Sequence, residues 1–68
     1  MKTTTAKVLE SFTADYTTKV HYAQRTDGQW FVRYQERSPW GYRFGAWRQT
    51  SSGPEYGRDT GRSARLPS

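Results

Sequence analysis

The sequence contains no cysteine and only one histidine, His21. The lack of cysteine excludes disulfides, thiolate zinc sites and cysteine nucleophiles. A single histidine does not form a histidine-based metal site, and no serine, histidine and acid have a spacing typical of a catalytic triad. We therefore predict a protein that is not an enzyme and uses no cofactor or metal.

Aliphatic side chains are also scarce, because the 68 residues include two leucines, three valines and no isoleucine. No apolar run is long enough for a signal peptide or a membrane span, so we expect a soluble cytoplasmic protein without membrane contact. The chain does contain three Trp, five Tyr and three Phe. Each of these side chains can bury roughly 150–250 Å², which predicts an aromatic core.

Composition divides the chain into a folded part and a tail. Residues 16–50 hold most of the aromatic side chains, whereas residues 51–68 are rich in Ser, Gly, Pro and Arg. The second segment has too few apolar side chains to offset the entropy that ordering would cost. We predict a single small domain over residues 1–50 and a flexible, disordered basic tail over residues 51–68.

Alternating apolar and polar residues predict three strands, at about 17–25, 29–37 and 42–49. Joined by short turns, they form a three-stranded antiparallel meander, so the predicted fold class is mainly β. Residues 6–14 fit either a helix, with Thr5 as its N-cap, or a fourth strand packed near the meander. Both interpretations stay open, and the helix would make the class α+β.

Two glycine-containing turns set the predicted register. A three-residue loop that ends at Gly28 pairs Tyr22 with Val32. A second loop of the same length, ending at Gly41, pairs Ser38 with Tyr42. The predicted core face then carries Val20, Tyr22, Trp30, Val32, Tyr34, Tyr42, Phe44 and Ala46.

The opposite face is predicted to face solvent and contains cations and rings but no acid. It carries Lys19, His21, Arg25, Phe31, Arg33, Arg37, Arg43 and Trp47. Arg33 lies opposite Trp47, so its guanidinium can stack on the indole.

Eleven Lys and Arg residues against six acids give a net charge of +5, which favours polyanionic partners. Sheets that bind nucleic acid combine cations for phosphates with rings for bases. We therefore predict a small nucleic-acid-binding module, for DNA or RNA. Its predicted contact residues are Lys19, Arg25, Phe31, Arg33, Arg43 and Trp47.

The layout of three strands with arginines on the outer face resembles the sheets of some plant transcription factors and phage integrase arm-binding domains. That resemblance implies a sheet that enters the DNA major groove. Those domains end in a helix, whereas here a segment rich in Gly, Pro and Ser follows the sheet.

The alternative function is a protein-binding module, a small inhibitor or adaptor, that uses Trp40, Trp47 and a strand edge. Its partner would be an acidic protein, and self-association is a further possibility. Trp40 also fits a second interpretation, which we favour, in which its ring folds back onto Tyr42 or the N-terminal segment.

Overall fold

The computed structural model describes residues 4–67, which form six strands and no helix. The strands are β1 (Thr4–Phe12), β2 (Lys19–Gln24), β3 (Trp30–Ser38), β4 (Gly41–Phe44), β5 (Arg48–Thr50) and β6 (Arg58–Leu66). They form one antiparallel sheet in the order β4-β3-β2-β1-β6. The short strand β5 pairs with the first half of β3, and β4 pairs with the second half. Both therefore lie along the same edge of β3. The predicted mainly β class is confirmed.

The N-terminal flank is a strand rather than a helix. β1 lies between β2 and β6, with Glu10 opposite His21 on one side and Ala6 opposite Ala64 on the other. The many threonines of this flank favour an extended backbone, because a β-branched side chain is restricted in a helix.

The predicted flexible tail and the sheet of only three strands are not confirmed. Residues 58–66 form β6 and pair along β1, and this ladder, together with burial of Leu66, offsets the ordering entropy. Arg25 Nη1 also donates a hydrogen bond of 2.7 Å to the Pro67 carbonyl. That bond holds the end of β6 beside the β2–β3 turn.

The main core lies on the face that was predicted to face solvent. Ala6, Ala23, Phe31 and Leu66 form the buried cluster, and Trp47 packs against it. Phe31 is only 1 % exposed. The strands of Phe31 and Leu66 are separated by β2 and β1, so the sheet must curl for these side chains to meet. A flat sheet would have left this face in water.

The predicted core face is only partly buried. Val20 and Val32 are buried there, whereas Tyr34 and Tyr42 are 46 % and 68 % exposed. The assignment of all eight residues to a core was therefore wrong.

Residues 51–57, between β5 and β6, cover another part of the sheet. A Cβ atom built on Gly53 would lie 2.5 Å from the Trp30 ring, and one on Gly57 would lie 3.2 Å from the Leu9 side chain. The backbone of this segment therefore packs directly on side chains of β1 and β3.

The β2–β3 turn has the predicted three-residue loop. Gly28 adopts a positive φ of 96°, and its N–H donates to the Arg25 carbonyl at 2.9 Å. Tyr22 lies opposite Val32, so the predicted register of these strands is confirmed.

The β3–β4 turn is one residue shorter than predicted. Ser38 pairs with Gly41 instead of Tyr42, although Gly41 does have a positive φ of 118°. The Ser38 hydroxyl accepts from the Trp40 N–H at 3.3 Å and donates to the Gly41 carbonyl at 2.9 Å. These bonds close the tighter loop.

The shorter loop exchanges two side chains between the faces. Phe44 lies opposite Gln35, which places it on the face of Arg33, and Arg43 moves to the other face. Between β4 and β5 the pairing with β3 shifts by one residue, so that Val32 lies opposite Arg48. Trp47 therefore still reaches the predicted face of the sheet.

The β1–β2 turn holds a tyrosine in a strained conformation. Tyr16 has a φ of 59°. This left-handed value is unfavourable in free energy for a residue with a Cβ atom. Asp15 accepts hydrogen bonds from Thr13 and Thr17, and these bonds lower its pKa to about 2. The Tyr16 ring is 81 % exposed, so little packing compensates for the strain.

We expect Tyr16→Asn to raise the free energy of unfolding by about 0.5–1 kcal/mol, because asparagine adopts the left-handed conformation more readily. Urea denaturation followed by tryptophan fluorescence measures the change. Tyr56→Asn is the matched control, since Tyr56 is equally exposed at 80 % and has no positive φ. Equal effects of the two substitutions would contradict the assigned strain.

Candidate functional site

Arg33 lies at the centre of a group of rings on the face of the sheet that also carries the core cluster. Its guanidinium carbon is 4.5 Å from the centroid of the Trp47 ring and 5.2 Å from that of Phe44. The predicted stacking of Arg33 on Trp47 is confirmed. Such contacts contribute about 0.5–2 kcal/mol each, depending on how far the cation is removed from water.

His21 completes this group. Its ring stacks on Phe44 with centroids 3.7 Å apart and 13° between the planes. Arg33 Nε donates to His21 Nδ1 at 3.4 Å. Because arginine has no acceptor, Nδ1 must accept, and the proton of the neutral ring is on Nε2. Burial, followed by the positive charge of Arg33, lowers the pKa of His21.

One wall of an open groove of about 640 Å³ consists of His21, Arg33 and Phe44, and we call it the Arg33 groove. Residues of β6, including Arg58 and Arg62, also line it. The sheet curls enough to place side chains of β6 and β3 on the same cavity.

Cations exceed carboxylates in the Arg33 groove. Four cationic side chains and two carboxylates line it: Lys19, Arg33, Arg58, Arg62, Glu10 and Asp59. Glu10 pairs with Lys19 at 3.9 Å, and Asp59 pairs with Lys7 at 3.2 Å. Within residues 4–67, the three arginines of the groove form no ion pair with a carboxylate. The groove therefore offers three guanidinium groups to an anion.

Three of the six predicted nucleic-acid contacts belong to this region. Lys19 and Arg33 line the groove, and Trp47 contacts the Arg33 guanidinium. Trp47 is only partly exposed, because it also packs against the core cluster.

The other three predicted contacts lie elsewhere. Phe31 is buried in the core, and Arg43 lies on the opposite face because of the shorter β3–β4 loop. Arg25 forms a bidentate pair with Asp27, at 2.9 and 2.7 Å, and its guanidinium lies 5.3 Å from the Phe31 centroid. Arg25 is therefore engaged in holding the turn and the end of β6.

Sequence reasoning missed Phe44, Arg58 and Arg62. Phe44 was assigned to the other face by the one-residue error in the loop. Residues 58–63 contain no apolar side chain, so apolar–polar alternation gave no signal for β6, and Gly57 and Gly61 are typical of loops.

Trp40 lies away from the groove at the tip of the β3–β4 turn. Its side chain is 93 % exposed, so the interpretation that the ring folds back was wrong. Trp40 is available to a partner.

Within the described part of the chain, no group of three His, Cys, Asp or Glu side chains is placed to hold a metal ion. The same residues include no helix long and apolar enough to cross a membrane. Comparison of the chain with protein-family models, curated proteins and solved structures finds no match.

We expect the pKa of His21 to lie below 6.5 and to rise towards that value in Arg33→Gln, because one repulsive charge is removed. An NMR pH titration of the imidazole measures both values. Arg43→Gln, which removes the same charge outside the groove, leaves the pKa unchanged.

The lowered pKa also sets the direction of a pH effect on stability. The unfolded chain binds the proton of His21 more readily, so this contribution to stability is fully present above pH 6.5. It decreases as the pH falls through 6.5 towards the pKa of the folded state. A folded-state pKa at or above 6.5 would contradict the described burial.

Proposed function

We propose that this protein is a non-enzymatic nucleic-acid-binding module whose ligand is a single-stranded segment held in the Arg33 groove. The observation that carries the proposal is the convergence of Arg33, Arg58 and Arg62 on one groove, none of them paired with a carboxylate of residues 4–67. Repeated phosphates are the ligand that suits several guanidinium groups in a row, because each group can bind a phosphate through two parallel hydrogen bonds.

The rings of the groove support a nucleic acid over a simple anion. Phe44 and His21 are stacked and line the groove beside Arg33. An unpaired base can extend such a stack, which contributes roughly 1–3 kcal/mol per base. A base in a duplex is already stacked and does not present its face to the groove, so a single strand is favoured.

The proposal changes the contact surface that the sequence predicted. The ligand lies in a groove between β3 and β6 instead of on a flat sheet face, because Phe31 is part of the core. Lys19 adds little long-range attraction, because its charge is offset by Glu10, with which it is paired. The net charge of +5 adds attraction that depends on salt.

We expect binding of a fluorescent single-stranded oligonucleotide to weaken roughly twentyfold between 50 and 200 mM salt, as about three phosphate contacts predict. In the double variant Arg58→Ala, Arg62→Ala, the negative slope of log affinity against log salt should become less steep by about 1.4. Fluorescence anisotropy measures both quantities.

The matched control is Arg37→Ala, Arg43→Ala, which removes two exposed arginines that do not line the groove. This control variant should keep the wild-type slope of log affinity against log salt. Absence of binding at low salt, or the same slope in both double variants, would overturn the proposal. The experiment uses DNA and RNA oligonucleotides of the same sequence to determine which is preferred.

A second candidate function is a protein-binding module, and the exposure of the β3–β4 hairpin favours it. Trp40 is 93 % exposed and Tyr42 is 68 % exposed. A tryptophan at the tip of a short loop resembles the anchor residues that dominate many interfaces. Trp47 contributes less to this function, because it packs against the core.

For this second function we expect a partner that survives nuclease treatment and is lost in Trp40→Ala. The measurement is a pull-down from nuclease-treated lysate, with light scattering of the purified protein to detect self-association. Tyr34→Ala, which removes an exposed ring away from the tip of the hairpin, keeps the partner. Retention by Trp40→Ala would exclude Trp40 as the anchor.

A further inference from the structure

A second groove, of about 620 Å³, lies where the β1–β2 turn meets the segment before β6. Its lining differs from that of the Arg33 groove because it includes four aromatic rings and a proline. Phe12, Tyr16, Tyr22, Pro54 and Tyr56 line it, and we call it the Tyr16 groove. Three of these rings are among the exposed large side chains of the molecule: Tyr16 at 81 %, Tyr56 at 80 % and Phe12 at 48 %.

The strain at Tyr16 indicates that this ring has a role outside folding. Glycine or asparagine would adopt its φ of 59° at a lower cost, and the exposed ring gains little from packing. A strained residue with an exposed side chain is typical of a functional position. The Tyr16 N–H donates to the Thr13 carbonyl at 2.8 Å, and Asp15 holds the rest of the turn. The ring therefore projects from an ordered turn.

The opposite wall of the Tyr16 groove is also held in place. Tyr56 belongs to residues 51–57, whose backbone packs on the Trp30 ring at Gly53 and on Leu9 at Gly57. Both walls thus present exposed rings from hydrogen-bonded or closely packed segments. A ligand can bind between them with little loss of conformational entropy in the protein.

Acidic side chains accompany these rings. Glu10 and Glu55 line the Tyr16 groove together with the single cation Arg58. Asp15 lies in the same turn as Tyr16, and its lowered pKa keeps it ionised in all but strong acid. This environment is unfavourable for a polyanion and complements a ligand with positive charge.

We propose that the Tyr16 groove binds a proline-rich peptide segment that carries arginine or lysine. Such segments adopt the polyproline II helix, which has three residues per turn and leaves its carbonyls free. Grooves lined by aromatic rings bind these segments because the proline rings pack between the side chains and tyrosine hydroxyls donate to peptide carbonyls. The carboxylate of Glu55 binds a basic residue of the peptide, whereas Glu10 is already paired with Lys19. Glu10 and Arg58 line both grooves, but none of the rings that carry this proposal lines the Arg33 groove. The peptide site does not depend on the proposed function of the Arg33 groove.

The test uses the full chain and a synthetic proline-rich peptide with arginines, titrated by NMR at amide resolution. We expect shifts confined to the β1–β2 turn and residues 51–57. A peptide with glutamates in place of the arginines, and one with glycines in place of the prolines, should each bind at least about tenfold more weakly. Equal binding of either peptide would overturn the proposal.

Substitutions distinguish a binding role from a structural one. Tyr16→Asn should weaken the arginine peptide about tenfold or more while raising the melting temperature, which separates lost affinity from lost folding. Tyr56→Ala should weaken it similarly. Tyr42→Ala, an exposed ring outside the Tyr16 groove, is the control and keeps the affinity.

The two proposals fail in distinguishable ways. Arg33→Ala should weaken the oligonucleotide and leave the peptide affinity unchanged, because Arg33 does not line the Tyr16 groove. Unchanged peptide affinity in Tyr16→Asn would overturn the peptide site alone. Shifts that appear only at the β3–β4 hairpin would assign the peptide to Trp40 and also overturn it.

Discussion

The pairing of β6 along β1 is the interaction on which the rest of the structure depends. It delivers Leu66 to the core beside Phe31, and it places Arg58 and Arg62 on the Arg33 groove. It also carries residues 51–57 across the sheet, where Tyr56 lines the Tyr16 groove. Without this strand the sheet would lose its core cluster and one wall of each groove.

The chain compensates for its few aliphatic residues by packing guanidinium groups on aromatic rings. Arg25 covers Phe31, and Arg33 lies between Phe44 and Trp47. An arginine can do this because its planar cation is weakly hydrated and stacks on a ring face. Arg25 serves the fold, because it is occupied by Asp27 and Pro67, whereas Arg58 and Arg62 line an open groove. Arg33 does both, since it packs on two rings and also lines the groove.

The sequence predicted what depends on local chemistry and missed what depends on distant parts of the chain. Alternation and Gly28 were sufficient for the β2–β3 register. The contact of Arg33 with Trp47 was predicted from a β3–β4 loop one residue too long, and it forms because the pairing shifts back by one residue before β5. Alternation separates two faces but does not show which one the sheet curls around, so Phe31 was assigned to solvent. The partner of β6 is roughly fifty to sixty residues away in sequence, and Gly61 within the strand is typical of loops, so the strand was missed.

The one-residue offset between β4 and β5 makes the length of this connection a structural constraint. Gly45 to Trp47 absorb the offset, and the Gly45 N–H bonds the Tyr34 carbonyl at 3.0 Å. A deletion there would turn either Phe44 or Trp47 to the other face, because side chains alternate along a strand. Insertions and deletions are thus restricted at 45–47 even though neither a buried core residue nor a charge would be lost.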